Sequence, residues 1–412
     1  MNNSSRCQAL PQLGRGLQSR YAEDTRSSGL FHYLLSGDDR LMRQAITGWA
    51  ASVLPEGLIQ ARYPSHIPQV IPGFALFWIL QVCDHHTFFN DSDMARDLLP
   101  LVMRVLKFFD SYVDHRGLLA NLPRRYWQFI DWTAEWTASS GNRDPGVPVM
   151  GRVSNTHTVA SLLLAYVLQQ AAKLAEDLDE VRTSQILRSR SSTLINGVNS
   201  RCFDGTYYLD SSTDCPATKP SQHAQIFAVL SGAAIDNRAK DIIKDAFTGG
   251  AFTKASYVFM HYAFRAFAKV GLYEVLWDEA WEPWHEMLGK NLSTWEEDSV
   301  SQRSDCHAWG SIAIYEYLVE VSGIHPTAPG WKSVLFKPRV TMVNKLESQV
   351  AMGHDNLATI QWSEQEAGDI HISLRFAQAT ELVSELPGEV VIHHGLVKRV
   401  ELVYQPRKDA MQ

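Results

Sequence analysis

Residues 155–178 read NTHTVASLLLAYVLQQAAKLAEDL, and their apolar side chains recur at spacings of three and four, the period of an α-helix. An Asn/Thr pair stands where an N-cap belongs. The next stretch, EVRTSQILRSRSSTLINGVNSRCF at 180–203, continues the period after a short break, so two helices joined by a tight turn are predicted. The same arrangement spreads in both directions. Upstream lie GLFHYLLSGDDRLMRQAITGWAASV (29–53), a Pro-rich loop (55–73), helices at 74–89 and 91–113, and a long loop at 114–154. Downstream, helical periodicity returns at 221–233, 237–247, 256–271, 273–288 and 307–323. Strand-like alternation is almost absent before residue 323. Helical hairpins in series, without a fixed repeat length, fit an (α/α)6 barrel better than a compact bundle or an α-solenoid. In such a toroid, long loops and inner-helix N-termini converge on one end and build a single pocket.

After His325-Pro326 the pattern changes. TAPGWKSVLFKPRV (327–340), LATIQW (357–362), DIHISLRF (369–376) and EVVIHHG (389–395) alternate with period two between Gly, Asn and Asp turns. The expected division is a mainly α barrel domain over 1–326 and a small antiparallel, β-sandwich-like domain over 327–412, the latter a brace.

Composition narrows the function. Of 412 residues, 45% are hydrophobic and 20% charged, values usual for a soluble globular chain. A net charge of −7 without a basic stripe argues against a nucleic-acid partner. Five scattered cysteines (Cys7, Cys83, Cys202, Cys215, Cys306) read as reduced thiols of an intracellular protein. The start, MNNSSRCQALPQLGRG, has no apolar segment of a signal peptide, and no run suggests a membrane span. A cytoplasmic location and no membrane partner are the expectations; the oligomeric state is not legible. Neither a phosphate-binding Gly-rich loop nor a G-x-S-x-G elbow occurs. No cofactor and no metal are expected, because Cys202, Cys215 and His223 do not have zinc-site spacing.

The chemistry concentrates at 277–309, WDEAWEPWHEMLGKNLSTWEEDSVSQRSDCHAW, which holds five of the twelve tryptophans. Indole faces stack on the C–H side of a pyranose, and carboxyl groups move protons at an anomeric centre. The plainer alternative is that these tryptophans pack helices and the acids form a solvated turn.

Taken together, GLFHYLL, PEGLIQARYPSHIPQVIPGFALFWI, FIDW, the capped helix at 155–178, STWEE, SDCHAWG and HPTAPGWKSVLFKPRV resemble the α-L-rhamnosidase family. The resemblance runs from Leu30 into the C-terminal sheet and implies inverting glycoside hydrolysis. It places the general base of the Trp-Glu motif at Glu296, with Glu297 its neighbour. His307 matches a sugar-contacting histidine and Trp309 its companion. Asp131-Trp132 matches a pocket-lining pair. Each has a structural alternative: His307 and Asp131 as helix caps, Trp132 as core. Further aromatic candidates for the pocket are Tyr63, Trp78, Trp127, Trp284 and Trp295.

The family's general acid lies in an Arg-(Asp)-Glu-Arg-x-x-Trp stretch before the first matching helix. Here residues 9–24 read ALPQLGRGLQSRYAED, with no Glu-Arg pair and no Trp, so this end is expected to be curtailed or rebuilt. The acid is then drawn from Glu23, Asp24, Glu56, Asp131 or Glu135; Glu135 shares a face with Asp131 if that segment is helical. Three functions follow: a rhamnosidase acting on a small-molecule or oligosaccharide glycoside, the same fold running an isomerisation, elimination or cyclisation on a hydrophobic small molecule in secondary metabolism, or a non-catalytic sugar-binding or scaffold protein.

Overall fold

The computed structural model describes residues 21–136, 144–299, 304–366 and 368–406. Residues 9–20, where most of the expected acid motif falls, lie outside them. The chain is mainly helical and ends in a sheet, and it divides into two compact units. The first comprises the described residues among Met1–Ser27, Gln44–Cys83 and Asp93–Ser311; the second those among Ser28–Arg43, Asp84–Ser92 and Ile312–Gln412.

The helices are α1 (Ala22–Ser36), α2 (Arg40–Ala51), α3 (Pro72–Phe89), α4 (Ser92–Asp110), α5 (Val149–Ser154), α6 (Thr158–Asp177), α7 (Val181–Arg201), α8 (Gln222–Ser231), α9 (Asp236–Thr248), α10 (Tyr257–Val270) and α11 (Trp277–Gly289). Their burial alternates along the chain. α1, α3, α6, α8 and α10 are buried on nearly every side, while α2, α4, α7, α9 and α11 each bury one stripe. A helix apolar all round belongs in an interior layer and an amphipathic one at the surface. α6 is long and apolar enough to cross a bilayer by length and composition, contrary to the sequence expectation, yet 78% of it is buried inside the protein. It is a core helix here.

α6 begins at Thr158, three residues later than its sequence cap suggests. Asn155 instead ends α5 in the left-handed conformation (φ 52°), which Asn tolerates better than most residues. Its side chain meets His157 Nε2 at 3.1 Å. The turn into α7 closes with Glu180 N–H on Ala175 O at 2.8 Å. Between the two helices Gln169 Nε2 donates to Ser191 Oγ (3.1 Å), and Ser191 Oγ donates to Ala165 O (2.9 Å). These bonds satisfy polar groups that the interface buries.

The second unit is built around one six-stranded sheet: β1 (Ile324–Pro326), β2 (Ser333–Phe336), β3 (Lys345–Met352), β4 (Asn356–Glu364), β5 (Ile370–Ser384) and β6 (Ile392–Tyr404), in the order β1-β2-β5-β4-β3 with β6 also on β5. Two corrections follow. The sheet is not wholly antiparallel, since β2 runs parallel to β5 with Ser333 opposite Glu381. The described strands also form one hydrogen-bonded sheet and not the two of a sandwich. Alternation sets the buried face: Ala358, Ile360 and Trp362 stand opposite Phe376, Leu374 and Ile372, and all six are buried. The boundary differs as well. The core of this unit takes in Leu30, Leu34, Met42 and Phe88 from helical segments far upstream, residues that a cut at 326/327 assigns elsewhere.

Candidate active site

Within the first unit, residues 127–136 run as an irregular segment rich in aromatic rings. Trp127 donates its indole N–H to Pro145 O at 2.9 Å, and Phe129 packs on Trp132 with centroids 4.8 Å apart. The segment is clamped by Gly146, whose carbonyl accepts from Ile130 N (2.8 Å) and Asp131 N (3.2 Å). Gly146 has φ +76°, and a Cβ there would lie 2.4 Å from the Phe129 ring. Only glycine meets both demands.

Asp131 is fully buried. Its Oδ2 accepts from His223 Nε2 (2.7 Å) and Ser256 N (2.8 Å). Its Oδ1 accepts from Trp132 N at 2.8 Å and from Ser256 Oγ. Both oxygens are thereby committed to tying this segment to the first turn of α8 and the start of α10. Asp131, expected from the sequence at the catalytic centre, is not among the residues that line the cavity described below.

The first turn of α1 carries Glu23 and Asp24, a placement the helix dipole favours. They differ sharply in environment. Glu23 is 1% exposed, and neither carboxyl oxygen has a hydrogen-bond partner among the described residues. Burial, then the nearby charges of Asp131 and Asp24, push its pKa well above the ordinary range. Asp24 accepts from His307 Nε2 at 2.8 Å, and His307 Nδ1 lies 3.6 Å from Glu297 Oε2.

Glu296 and Glu297 have different surroundings: Glu297 lines the cavity described below and Glu296 does not. Glu296 is fully buried, accepting from Tyr257 OH at 2.9 Å and Lys290 Nζ at 2.8 Å. That carboxylate, behind burial, drives the Tyr257 phenol upward. Glu297 has its backbone N–H on Ser304 O (2.8 Å) and its carbonyl accepting from the Trp309 indole (2.6 Å). His307 N–H closes the loop on Trp295 O at 2.7 Å. Gly310 permits this, since a Cβ there would lie 2.9 Å from Glu296 O.

These groups surround a cavity of about 190 Å³. Asp24, Glu297 and His307 form its polar side, and Trp127, Phe129, Trp132 and Trp309 part of its aromatic wall. Tyr21, Ile71 and Phe74 complete it. Of the residues singled out in the sequence, Trp127, Trp132, Trp309, His307 and the candidate acid Asp24 line this cavity, and the remaining candidates do not. Trp78 is core, its indole on Ile46 O at 3.1 Å. Trp284 is core too, with its indole on Gly310 O at 2.8 Å. Tyr63 and Trp295 are half-buried and outside this lining. Glu56, a further candidate acid, pairs with Tyr126 and lies outside it too. Glu296 is outside this lining, and Glu135 lies in a short 3₁₀ turn, Ala134–Trp136, on a different cavity. Tyr21, Ile71, Phe74 and Phe129 are not among the expected lining residues, although Phe129 opens the FIDW motif and Ile71 and Phe74 lie in the matching stretch at 55–79. Among the described residues no three His, Cys, Asp or Glu side chains are grouped to hold a metal ion.

The chain belongs to the bacterial alpha-L-rhamnosidase six-hairpin glycosidase domain family, whose profile matches residues 17–321. It is therefore a glycoside hydrolase-like protein. Among solved structures, the GH78 family rhamnosidase of Bacillus sp. GL1 superposes with a TM-score of 0.76 at 21% identity, over 90% of this chain and 39% of that one. The Streptomyces avermitilis alpha-L-rhamnosidase complexed with L-rhamnose gives 0.64 at 14%, over 92% and 37%. The GH63 mannosylglycerate hydrolase of Thermus thermophilus gives 0.51 at 13%, over 75% and 98%. At these identities the likeness is one of fold. This chain spans about two fifths of the length of the two rhamnosidases. No curated protein matches the sequence.

Proposed function

We propose that this chain is an inverting glycoside hydrolase acting on α-L-rhamnosides, with its helical hairpins closed into an (α/α)6 barrel. One observation carries the reading: Asp24 and Glu297 flank His307 in a cavity with an aromatic wall. Glu297 activates the attacking water, and Asp24 delivers the proton to the leaving oxygen. For such roles geometry comes before pKa, and both carboxyl groups reach the cavity. An imidazole separates them, with Asp24 on Nε2 and Glu297 toward Nδ1. An inverting pair works at a separation of roughly 6.5–9.5 Å, wide enough to admit the attacking water. Trp132 and Phe129 offer faces to the C–H side and methyl group of a 6-deoxy sugar.

Glu296, which the family motif designates as base, is assigned here to holding Tyr257 and Lys290. The repurposed, non-hydrolytic reading rests on a missing acid, and it loses that motive once α1 supplies a carboxyl group to the cavity.

An aryl α-L-rhamnoside assay tests the assignment. Glu297→Gln and Asp24→Asn each lower kcat by roughly 10²–10⁴, while Glu296→Gln keeps kcat within about tenfold of wild type. Loss of turnover in Glu296→Gln with retention in Glu297→Gln overturns it, and so does the absence of turnover in the wild type.

A further inference from the structure

The sheet of the second unit ends on three strands, β1, β3 and β6, and they differ as edges. β1 spans three residues, too few to template another strand. β3 spans eight, but its exposed side chains, Lys345, Glu347 and Gln349, are polar, and charge on an edge discourages pairing. β6 spans thirteen residues, IHHGLVKRVELVY. It exposes Ile392, Leu396 and Val403, with Val390 and Val391 exposed just before it. Its neighbour in the sheet is β5, and along its other side it meets no further strand among the described residues. A long edge with apolar side chains and open N–H and C=O groups is a template for another strand.

The packing says what that strand has to cover. From Arg399 to Tyr404 the register on β5 is regular, with Val400 opposite Leu374 and Leu402 opposite Ile372. Leu374 and Ile372 are fully buried. Val400 and Leu402 pack on the same core but stay half-buried. The apolar layer therefore reaches the edge with surface still in water, and a strand laid alongside removes it.

A second copy of β6 supplies such a strand, and its charges choose the register. In an antiparallel pair related by a two-fold axis, the residue on the axis faces its own copy. An axis at Lys398, Arg399 or Glu401 sets like charges face to face, which destabilises a strand pair. An axis at Val400 sets Val400 against Val400 and puts Arg399 of each copy opposite Glu401 of the other. Within one chain Arg399 Nε and Ser373 Oγ both donate to Glu401 Oε1, at 2.6 and 2.9 Å. Oε2 is left to face the guanidinium of the second copy. We propose that β6 is the interface of a two-fold dimer, in which the β6 strands of two copies pair antiparallel about Val400 and join two sheets into one. The proposal does not depend on the proposed function.

Sedimentation equilibrium of the full chain tests it, under a thiol reductant because Cys306 is exposed. The wild type shows a monomer–dimer equilibrium in the micromolar range. Arg399→Glu and Glu401→Arg, both at exposed positions, each set like charges opposite one another and weaken the dimer about tenfold. Mixed together, the two variants form a heterodimer tighter than either homodimer, because every facing pair again has opposite signs. Hydrogen exchange gives a readout that needs no variant: raising the concentration slows the amides of β6 and leaves those of β3 unchanged. A chain that stays monomeric, a dimer indifferent to the single variants, a mixture no tighter than its components, or protection that falls on another strand overturns the proposal.

Discussion

Glu23 and Asp210 are carboxyl groups whose burial outweighs every favourable partner, and that sets the sign of their pH dependence. For each, the folded-state pKa stands above the unfolded one. Their contribution to stability is therefore complete below the unfolded pKa and is lost as pH rises through the folded pKa. For Asp210 the window runs from its ordinary value of 3.8 up to about 7, and the loss amounts to a few kcal/mol, at about 1.4 kcal/mol per unit. Asp210→Asn is expected to flatten the fall of Tm across this window, and thermal unfolding at a series of pH values reads it. Glu23→Gln acts in the same direction, over a window opening near 4.5 and extending upward. A Tm that climbs from pH 5 to 8 in wild type, unaltered by either substitution, contradicts this account. Glu296→Gln is a stability variant for a different reason: it weakens two hydrogen bonds at a fully buried side chain and costs roughly 1–3 kcal/mol, visible as a lower Tm with kcat retained.

At the scale of an element, the aromatic wall depends on backbone placed elsewhere. Gly146→Ala puts a methyl group into the Phe129 ring at a positive φ and costs about 1–3 kcal/mol. Because Phe129 and Trp132 pack together, KM for an aryl rhamnoside rises more than kcat falls. Asp131→Asn replaces an acceptor of four hydrogen bonds with a group that presents N–H toward Ser256 N–H or His223. About 3–5 kcal/mol is lost when one partner of a buried pair is removed. Tm should fall accordingly, and tryptophan fluorescence should change as the segment from 127 to 136 loosens. The capped helix at 155–178 was readable because one strong period runs through it, while its start was misplaced because Asn serves equally to cap one helix and to end another. Glu296 and Glu297 show the limit more clearly. The Trp-Glu motif locates the segment, but which of two adjacent carboxylates faces the cavity depends on the backbone direction at residues 295–297, which Gly310 and Trp309 set from across the loop.

For the molecule as a whole, the sheet-containing unit has a practical consequence. A fragment of residues 327–412 lacks β1, which pairs with β2 from Ile324 to Pro326, and lacks the apolar side chains of Leu30, Leu34, Met42 and Phe88. It is expected not to fold alone, and poor amide dispersion in its NMR spectrum registers the failure; a well-dispersed spectrum refutes it.

The sequence by itself determined the elements, the family and the neighbourhood of the site. Periods of 3.6 and 2 are local properties of the chain, and motifs such as FIDW, STWEE and SDCHAWG are contiguous. Only the tertiary structure decided which side chains work together. Asp24 meets His307 across 283 positions of sequence, Asp131 is spent on His223 and Ser256, and Glu135 lies with Asp210 on a different cavity. Those outcomes follow from burial and from hydrogen-bond satisfaction among distant segments, and neither is a property that a residue carries on its own.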